Sequence, residues 1–325
     1  MRPGRVHGVA WVLAALTVFA GVGVTAGEPA SPLPSKGLAT ASPAVIELGR
    51  ALFQDTRLST DNSISCASCH PLDHYGSDNQ YRSHGVDGRL GETNAPTVFN
   101  AMFNIAQFWN GRAGTLERQT DFPVNDHNEM ASSWPEVLSK LNASPDYAER
   151  FAALFDDGLT VTNVQHAIAE FERTLVTPDS RFDRYLRGDV EALTASERAG
   201  WRLFKAYGCS ACHQGRLLGG NLYTRMGLFG DYFADRAARG DGDPSDADLG
   251  RFQVTGDPEH KYQFKVPSLR NVALTPPYFH DGATSDLLSA IRIMGRYQLG
   301  REIAPEDVAL IGEFLRTLNA PLGTM

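Results

Sequence analysis

The sequence predicts an all-α protein built as two domains with little β structure, and three observations support this. Apolar residues recur at three- and four-residue spacing over most of the chain. A phrase made of a helical segment ending in Leu-Phe, a short link and a Cys-x-x-Cys-His unit occurs twice, as "ELGRALFQDTRLSTDNSISCASCH" and "RAGWRLFKAYGCSACH". The 325 residues are enough to build two cores.

Taken in order, residues 1–26 read as a signal peptide: Arg2 and Arg5, an apolar run from Val9 to Val24, then small residues ending near Ala26. That run falls short of the roughly 20 residues of a spanning helix, so no stable membrane insertion is expected after cleavage. Residues 27–43 read as a flexible leader. A first domain is expected over 44–180 and a second over 181–325, joined through "TPDSRFDRYLRGDVEALT". Helices are expected over 134–142, 145–155, 161–174, 196–206, 286–295 and 305–318. "TAS" before Glu197 and "TSD" before Leu287 supply N-caps. The acidic run 241–248, "DGDPSDAD", lacks the Gly and closing Glu of an EF-hand and reads as a solvated loop.

The formal charge is −8, and losing Arg2 and Arg5 with the signal peptide takes it to −10. An acidic surface argues against nucleic acid and suits a basic soluble partner.

All four cysteines lie in the two Cys-x-x-Cys-His units, so none is left for a structural disulfide. In an exported chain this pattern points to covalent c-type haem. Cys66 and Cys69 would hold one haem with His70 on its iron, and Cys209 and Cys212 the other with His213. The two thiols of a pair reach two vinyl groups of one porphyrin, and the adjacent imidazole meets the iron. A shared zinc site would have to join two distant pairs and leaves the repeated His unexplained. A thioredoxin-type motif needs a βαβ context that is missing here. Each half is therefore expected to be a cytochrome c-like haem domain. The sixth iron position then separates a carrier from an enzyme: a carrier fills it with protein, and a peroxidase opens it beside an acid–base group.

Further motifs carry a family resemblance. "NAPTVFNAMFNIAQFWNGRAGTLERQ" followed by "NEM", and "FKVPSLRNVALTPPYFHDG" followed by "IRIMGRYQLG", closely resemble the bacterial di-haem cytochrome c peroxidases. The resemblance covers nearly the whole chain from about Ala44 to Leu318, with the motifs in family order. It implies a low-potential peroxidatic haem in the first domain and a high-potential electron-entry haem in the second, with Met294 as the latter's distal ligand. Thioether ligation raises the potential. It further implies that Trp109 lies between the haems as an electron-transfer bridge, and that Glu129 is the acid–base carboxylate, with Gln119 orienting peroxide. Asn94, Thr275 and Pro277 match a calcium site of one side-chain and two backbone oxygens, suited to a hard cation. Arg112 and His280 would serve haem propionates or structure.

The activity implied is periplasmic reduction of hydrogen peroxide to water, with electrons from a small soluble cytochrome c or cupredoxin. Two other classes stay open. A MauG-type enzyme oxidises tryptophan residues of a partner protein and uses Tyr where this chain has Met294, with Tyr297 three residues further on. A plain di-haem carrier would leave Glu129 without a task. Members of the family commonly form homodimers; no feature of this sequence speaks to that.

Three histidines crowd residues 65–85. His70 is the fixed ligand. His84, in a Ser- and Gly-bordered segment just before "NAPT", matches the family's removable distal histidine, expected to cap the peroxidatic iron at rest and leave on reduction of the other haem. His74 lies too close to His70 to reach the porphyrin's far face and reads as a bystander.

Overall fold

The structure, a computed structural model, describes Met1, residues 27–240 and residues 242–322. The expected signal peptide, Met1 apart, lies outside the described residues. Among these residues no helix is long and apolar enough to cross a membrane.

Each half rests on a pair of crossed helices. In the first, α1 (Pro43–Phe53) begins where the Ser42 side chain accepts from the Val45 N–H, with Pro43 opening the helix. It is followed by α2 (Trp134–Asn142), α3 (Pro145–Leu154) and α4 (Val161–Glu172). Helix α1 crosses α4 at Gly49, where any Cβ would overlap the Ala167 carbonyl oxygen. In the second half α5 (Ala195–Tyr207) opens with a Thr194/Glu197 capping box and stops at Gly208, whose φ is +97°. It crosses the last helix at Gly200, where a Cβ would overlap the Leu310 carbonyl oxygen. That last helix is α7 (Pro305–Arg316), preceded by α6 (Leu287–Gln298). Glycine is required at both crossings because only its missing side chain lets the two backbones meet.

Separate cores result. Leu48, Leu52 and Phe53 of α1 pack with Val137, Leu141, Phe151, Ile168 and Phe171. Trp201 and Phe204 of α5 pack with Phe182, Ile291, Ile311 and Phe314. A third cluster, of Met226, Tyr232, Phe233, Phe264 and Tyr297, takes Trp109 from the first half and Met294 from the second against its flank. Among the described residues the sheet is one two-stranded ribbon of β1 (Tyr223–Arg225) and antiparallel β2 (Gln263–Lys265), with Tyr223 opposite Lys265.

The duplication extends well beyond the Leu-Phe and Cys-x-x-Cys-His phrases. Pro96 and Pro267 are each followed four residues later by an Asn with positive φ, Asn100 at 63° and Asn271 at 60°. Each Asn opens a short 3-10 turn, Ala101–Phe103 and Val272–Leu274. Both side-chain amides donate to one hydroxyl, Thr177 Oγ1, at 2.8 and 2.9 Å. Phe108 and Phe279, each twelve residues past its proline, also have positive φ. Each lies in a small closed loop, bridged Gln107 to Ala113 and Tyr278 to Thr284. Trp109 and His280 are therefore counterparts, as are Asn94 and Lys265, and they meet across the seam. The Asn94 N–H donates to the His280 carbonyl at 2.9 Å, and the Lys265 N–H donates to the Trp109 carbonyl at 2.8 Å.

Two regions differ from expectation. The leader is not free: Ala30 and Leu33 are buried, the Leu33 N–H donates to Asp183 Oδ1, and the N–H groups of Thr40 and Ala41 donate to Glu170 Oε2. Two carboxylates buried in the body thus hold a segment that has little apolar surface of its own. The run 242–248 is not wholly solvated either, because Asp248 is buried against Arg236 and His280. Among the helices, α6 runs on to Gln298 through Gly295, which packs on Ile303, so Met294 lies inside the helix.

Candidate functional site

Both Cys-x-x-Cys units sit on a single helical turn, Cys66–Cys69 and Cys209–Ala211, and all four thiols are free and partly buried. Burial pushes Cys69 and Cys209 up to about 11 and Cys66 higher still, so the thiols stay protonated. Among the described residues the one group of three metal-type side chains is Asp248, His280 and Asp281, so the two cysteine pairs do not converge on a shared ion.

The two histidines are held in the same way. His70 Nδ1 lies 3.1 Å from the Gly76 carbonyl oxygen, and His213 Nδ1 lies 2.9 Å from that of Leu218. A carbonyl only accepts, so Nδ1 carries the proton and the lone pair is on Nε2, the tautomer and orientation that bind a metal. Burial lowers the proton affinity of both rings, which keeps them neutral. The carbonyls of Pro96 and Pro267 bear on His70 and His213 alike. Free thiols on one turn beside an oriented imidazole fit a c-type haem in each half.

Near the first unit, the turn that carries Glu129 is pinned on Asp126. The Asp126 carbonyl accepts from Glu129 and Ala131, and its side chain accepts from the Asn128 N–H at 2.7 Å. Glu129 is half-buried, and its charge reaches Cys66 and Cys69. Burial pushes Glu129 up to about 7, Asp126 adds to this, and Arg112 opposes it. Arg112 lies over the Phe108 ring at 3.5 Å and the Phe122 ring at 5.1 Å, an apolar wall beside a cation on which Glu129, Asp126 and Glu92 all act. Gln119 is half-buried at the end of the short helix Leu116–Gln119, and no hydrogen bond joins its side chain to Glu129 among the described residues.

His84 sits on a hairpin of residues 83–91. His84 pairs with Leu90, the Gly91 N–H donates to the Ser83 carbonyl at 2.9 Å, and the Gly85 N–H donates to that of Arg89 at 2.8 Å. Its tip is fastened to the Glu129 turn. The Val86 N–H donates to the Glu129 carbonyl at 2.8 Å, Arg89 Nη1 donates to the His127 carbonyl at 2.9 Å, and Gly85 lies directly on the Asn128–Glu129 backbone. The His84 side chain is exposed, as is that of His74.

At the seam, Trp109 Nε1 donates to the Asn94 carbonyl at 2.9 Å, and the indole edge meets the His280 ring at 6.4 Å between centroids. His280 is buried, stacks on Phe264 at 4.2 Å, and places Nε2 2.6 Å from Asp248 Oδ1. Arg236 closes the cluster, with Nη2 2.6 Å from Asp248 Oδ2 and Nη1 2.6 Å from Asp281 Oδ2, and the Tyr232 hydroxyl donates to Asp281. The guanidinium fills the space between the two carboxylates, so this group is an ion-pair network. Of these five residues the sequence suggested a role for His280 alone and placed Asp248 in a solvated loop. The recurring Phe-x-x-Gly of "FWNG" and "FHDG" was the available signal that a structural counterpart of Trp109 lay there.

Met294, half-buried, shares the third cluster with Trp109, whereas the His213 ring packs on Phe204 of the second core. The Tyr297 hydroxyl donates to Asp235 Oδ2 at 2.8 Å and accepts from Arg239. For the cation set, Asn94 Nδ2 donates to the Gln80 carbonyl and leaves its side-chain oxygen for another partner. The carbonyls of Thr275 and Pro277 accept no hydrogen bond among the described residues. Pro277 follows a cis peptide bond.

Comparison with known proteins adds independent findings. The family model described as "Di-haem cytochrome c peroxidase" matches residues 43–191. The chain is 47% identical over 294 residues to the cytochrome c peroxidase Ccp of Escherichia coli (strain K12), covering 90% of this chain and 61% of that protein. To the cytochrome c551 peroxidase of Nitrosomonas europaea it is 44% identical over 305 residues, covering 93% of this chain and 87% of that protein. Among solved structures, a MauG-like protein associated with microbial copper homeostasis superposes with a TM-score of 0.74 at 28% identity, covering 89% of this chain and 93% of that one.

Proposed function

The chain belongs to the di-haem cytochrome c peroxidase family, and from that premise we propose that it reduces hydrogen peroxide to two waters in the periplasm, using electrons from a small soluble cytochrome c or cupredoxin. The observation that carries this reading is Glu129: a half-buried carboxyl, raised to about 7, beside the first Cys-x-x-Cys-His unit and walled by Phe108, Phe122 and Arg112.

Cys66, Cys69 and His70 would hold the peroxidatic haem, and Cys209, Cys212, His213 and Met294 the electron-entry haem. When bound, the haems supply an iron that binds peroxide and a store for the electrons that reduce it. The chain supplies the proton handling. Glu129, ionised, takes a proton from one peroxide oxygen and gives it to the other, so that the departing oxygen leaves as water and not as hydroxide. Gln119 orients the substrate from the neighbouring helix. Arg112 fixes the Glu129 carboxylate electrostatically. Trp109, whose carbonyl is bonded across the seam by the Lys265 N–H and whose indole is anchored on Asn94 of its own half, supplies an aromatic ring between the halves. Over a turnover, two electrons and two protons convert one peroxide into two waters. Engagement of the Tyr297 hydroxyl by Asp235 and Arg239 favours Met294 as the ligand from α6 and so the peroxidase over a MauG-type oxidase. Asn94, Thr275 and Pro277 would hold a calcium ion through the oxygens left unbonded, with waters completing the shell.

The test is peroxide-dependent oxidation of a reduced small cytochrome or cupredoxin by the haem-loaded protein. Peroxide turnover is the expected result, and a di-haem protein that exchanges electrons with the donor yet leaves peroxide intact would make it a carrier.

For His84 the expected behaviour is that of a removable cap on a hairpin. His84→Gly should give a protein that turns over peroxide from the fully oxidised state with no lag. A variant that still required prior reduction would remove His84 from that role.

A further inference from the structure

Lys265 is 7% exposed, and among the described residues no carboxylate or hydrogen-bond acceptor reaches its ammonium group. Among the described residues, the other strongly buried cations each have an anion. Arg236 has Asp248 and Asp281, and Arg270 has Asp183 at 2.9 Å. A lone buried ammonium is costly, so a position that keeps one has a use for its charge.

The seam indicates what that use is. Lys265 is the counterpart of Asn94, each two residues before the repeated proline. Their backbones make reciprocal bonds, Asn94 to His280 and Lys265 to Trp109. Asn94 belongs to the proposed calcium site, so one half presents an oxygen to a bound cation where the other carries a cation of its own. Charge of this sign, buried between two halves that each fit a haem, lacks an anion that the chain does not provide. A haem brings two propionate carboxylates.

We propose that Lys265 is the counter-ion of a haem propionate at the seam, a binding residue that the four cysteines, two histidines and Met294 leave out. The assignment rests on the di-haem reading above. Burial with no partner also pulls the ammonium down to about 8, as expected of a lysine waiting for an anion.

The consequence is electrostatic. A fixed cation beside a haem favours the form holding the extra electron, so its loss makes that haem harder to reduce. The test uses the full-length haem-loaded protein, with haem content measured chemically and both midpoint potentials measured by optical titration. Lys265→Met should lower one midpoint and leave the other in place, and Lys265→Arg, which keeps the charge, should leave both at the parent values. Two attached haems with both midpoints unchanged in Lys265→Met would overturn the proposal. Should Lys265→Met fail to mature, Lys265→Arg decides. Parent midpoints there support the ion pair, and failure of that variant too would show that the fit of the side chain and not its charge is required. A parent protein carrying no attached haem would overturn the di-haem reading itself.

Discussion

Glu129→Gln is expected to lower peroxide turnover by about 100- to 10,000-fold, the usual worth of a positioned general acid–base group, while both haem spectra stay as in the parent. Glutamine matches the carboxyl in shape but cannot accept the proton. The pH profile gives the sharper signature. Glu129 is raised to about 7 by burial first, then by Asp126, against the pull of Arg112. It must be ionised to act as a base, so turnover should be low at pH 5, rise through about 7 and level off above it. Glu129→Asp should keep the sigmoid with a lower plateau, and Glu129→Gln should lose it. A Gln variant with parent turnover, or with the same rise through pH 7, would move the acid–base role to another group.

Arg236→Met is expected to destabilise the protein by about 3–5 kcal/mol, the cost of breaking a buried ion pair from one side. Arg236 and its two carboxylate partners are each about 95% buried or more, so solvent does little to screen the loss. Without the guanidinium, Asp248 keeps His280 and the Ser245 N–H and hydroxyl, Asp281 keeps the Tyr232 hydroxyl and the Ala283 N–H, and the two carboxylates face each other with no arginine between them. The measurement is the thermal midpoint of the haem-loaded protein. Combining Arg236→Met with Asp281→Asn should recover part of the loss, since one of the stranded charges is then gone. An unchanged midpoint in the single variant would show that the network contributes nothing to stability.

Why these residues escaped the sequence reading is a matter of distance along the chain. Helix α2 was legible to the residue, because the apolar spacing that marks it is local. The thiol–imidazole units stand out as five-residue patterns, but the carbonyls that orient their rings, those of Gly76 and Leu218, lie beyond the motifs. The pairing of Asp248 was not legible, since Arg236 stands 12 residues away and His280 stands 32 away, and a run of acids looks the same whether or not its partners fold onto it. The leader misled for the same reason: its anchors, Asp183 and Glu170, lie 150 and 130 residues further on. The longer duplication was written in the sequence, in "PTVFN" and "PSLRN" and in "FWNG" and "FHDG". Its residues fill equivalent backbone positions with different side chains, so identity at any one position is weak and the common spacing carries the signal. The family motifs drew attention to Trp109, Met294 and Glu129 by type. They did not draw it to Lys265, which is distinguished by the partner it lacks.

The bond between Val86 and Glu129 gives the two functional loops a shared fate. His84 is one residue from Gly85, which lies on the Glu129 backbone, and Arg89 ties the same hairpin to His127. Drawing the histidine aside by a swing of the whole hairpin therefore either tears those contacts or carries the carboxylate with it. On the reading proposed above, with His84 as the gate and Glu129 as the proton handler, the two are mechanically coupled, so a signal that opens the first also bears on the position of the second.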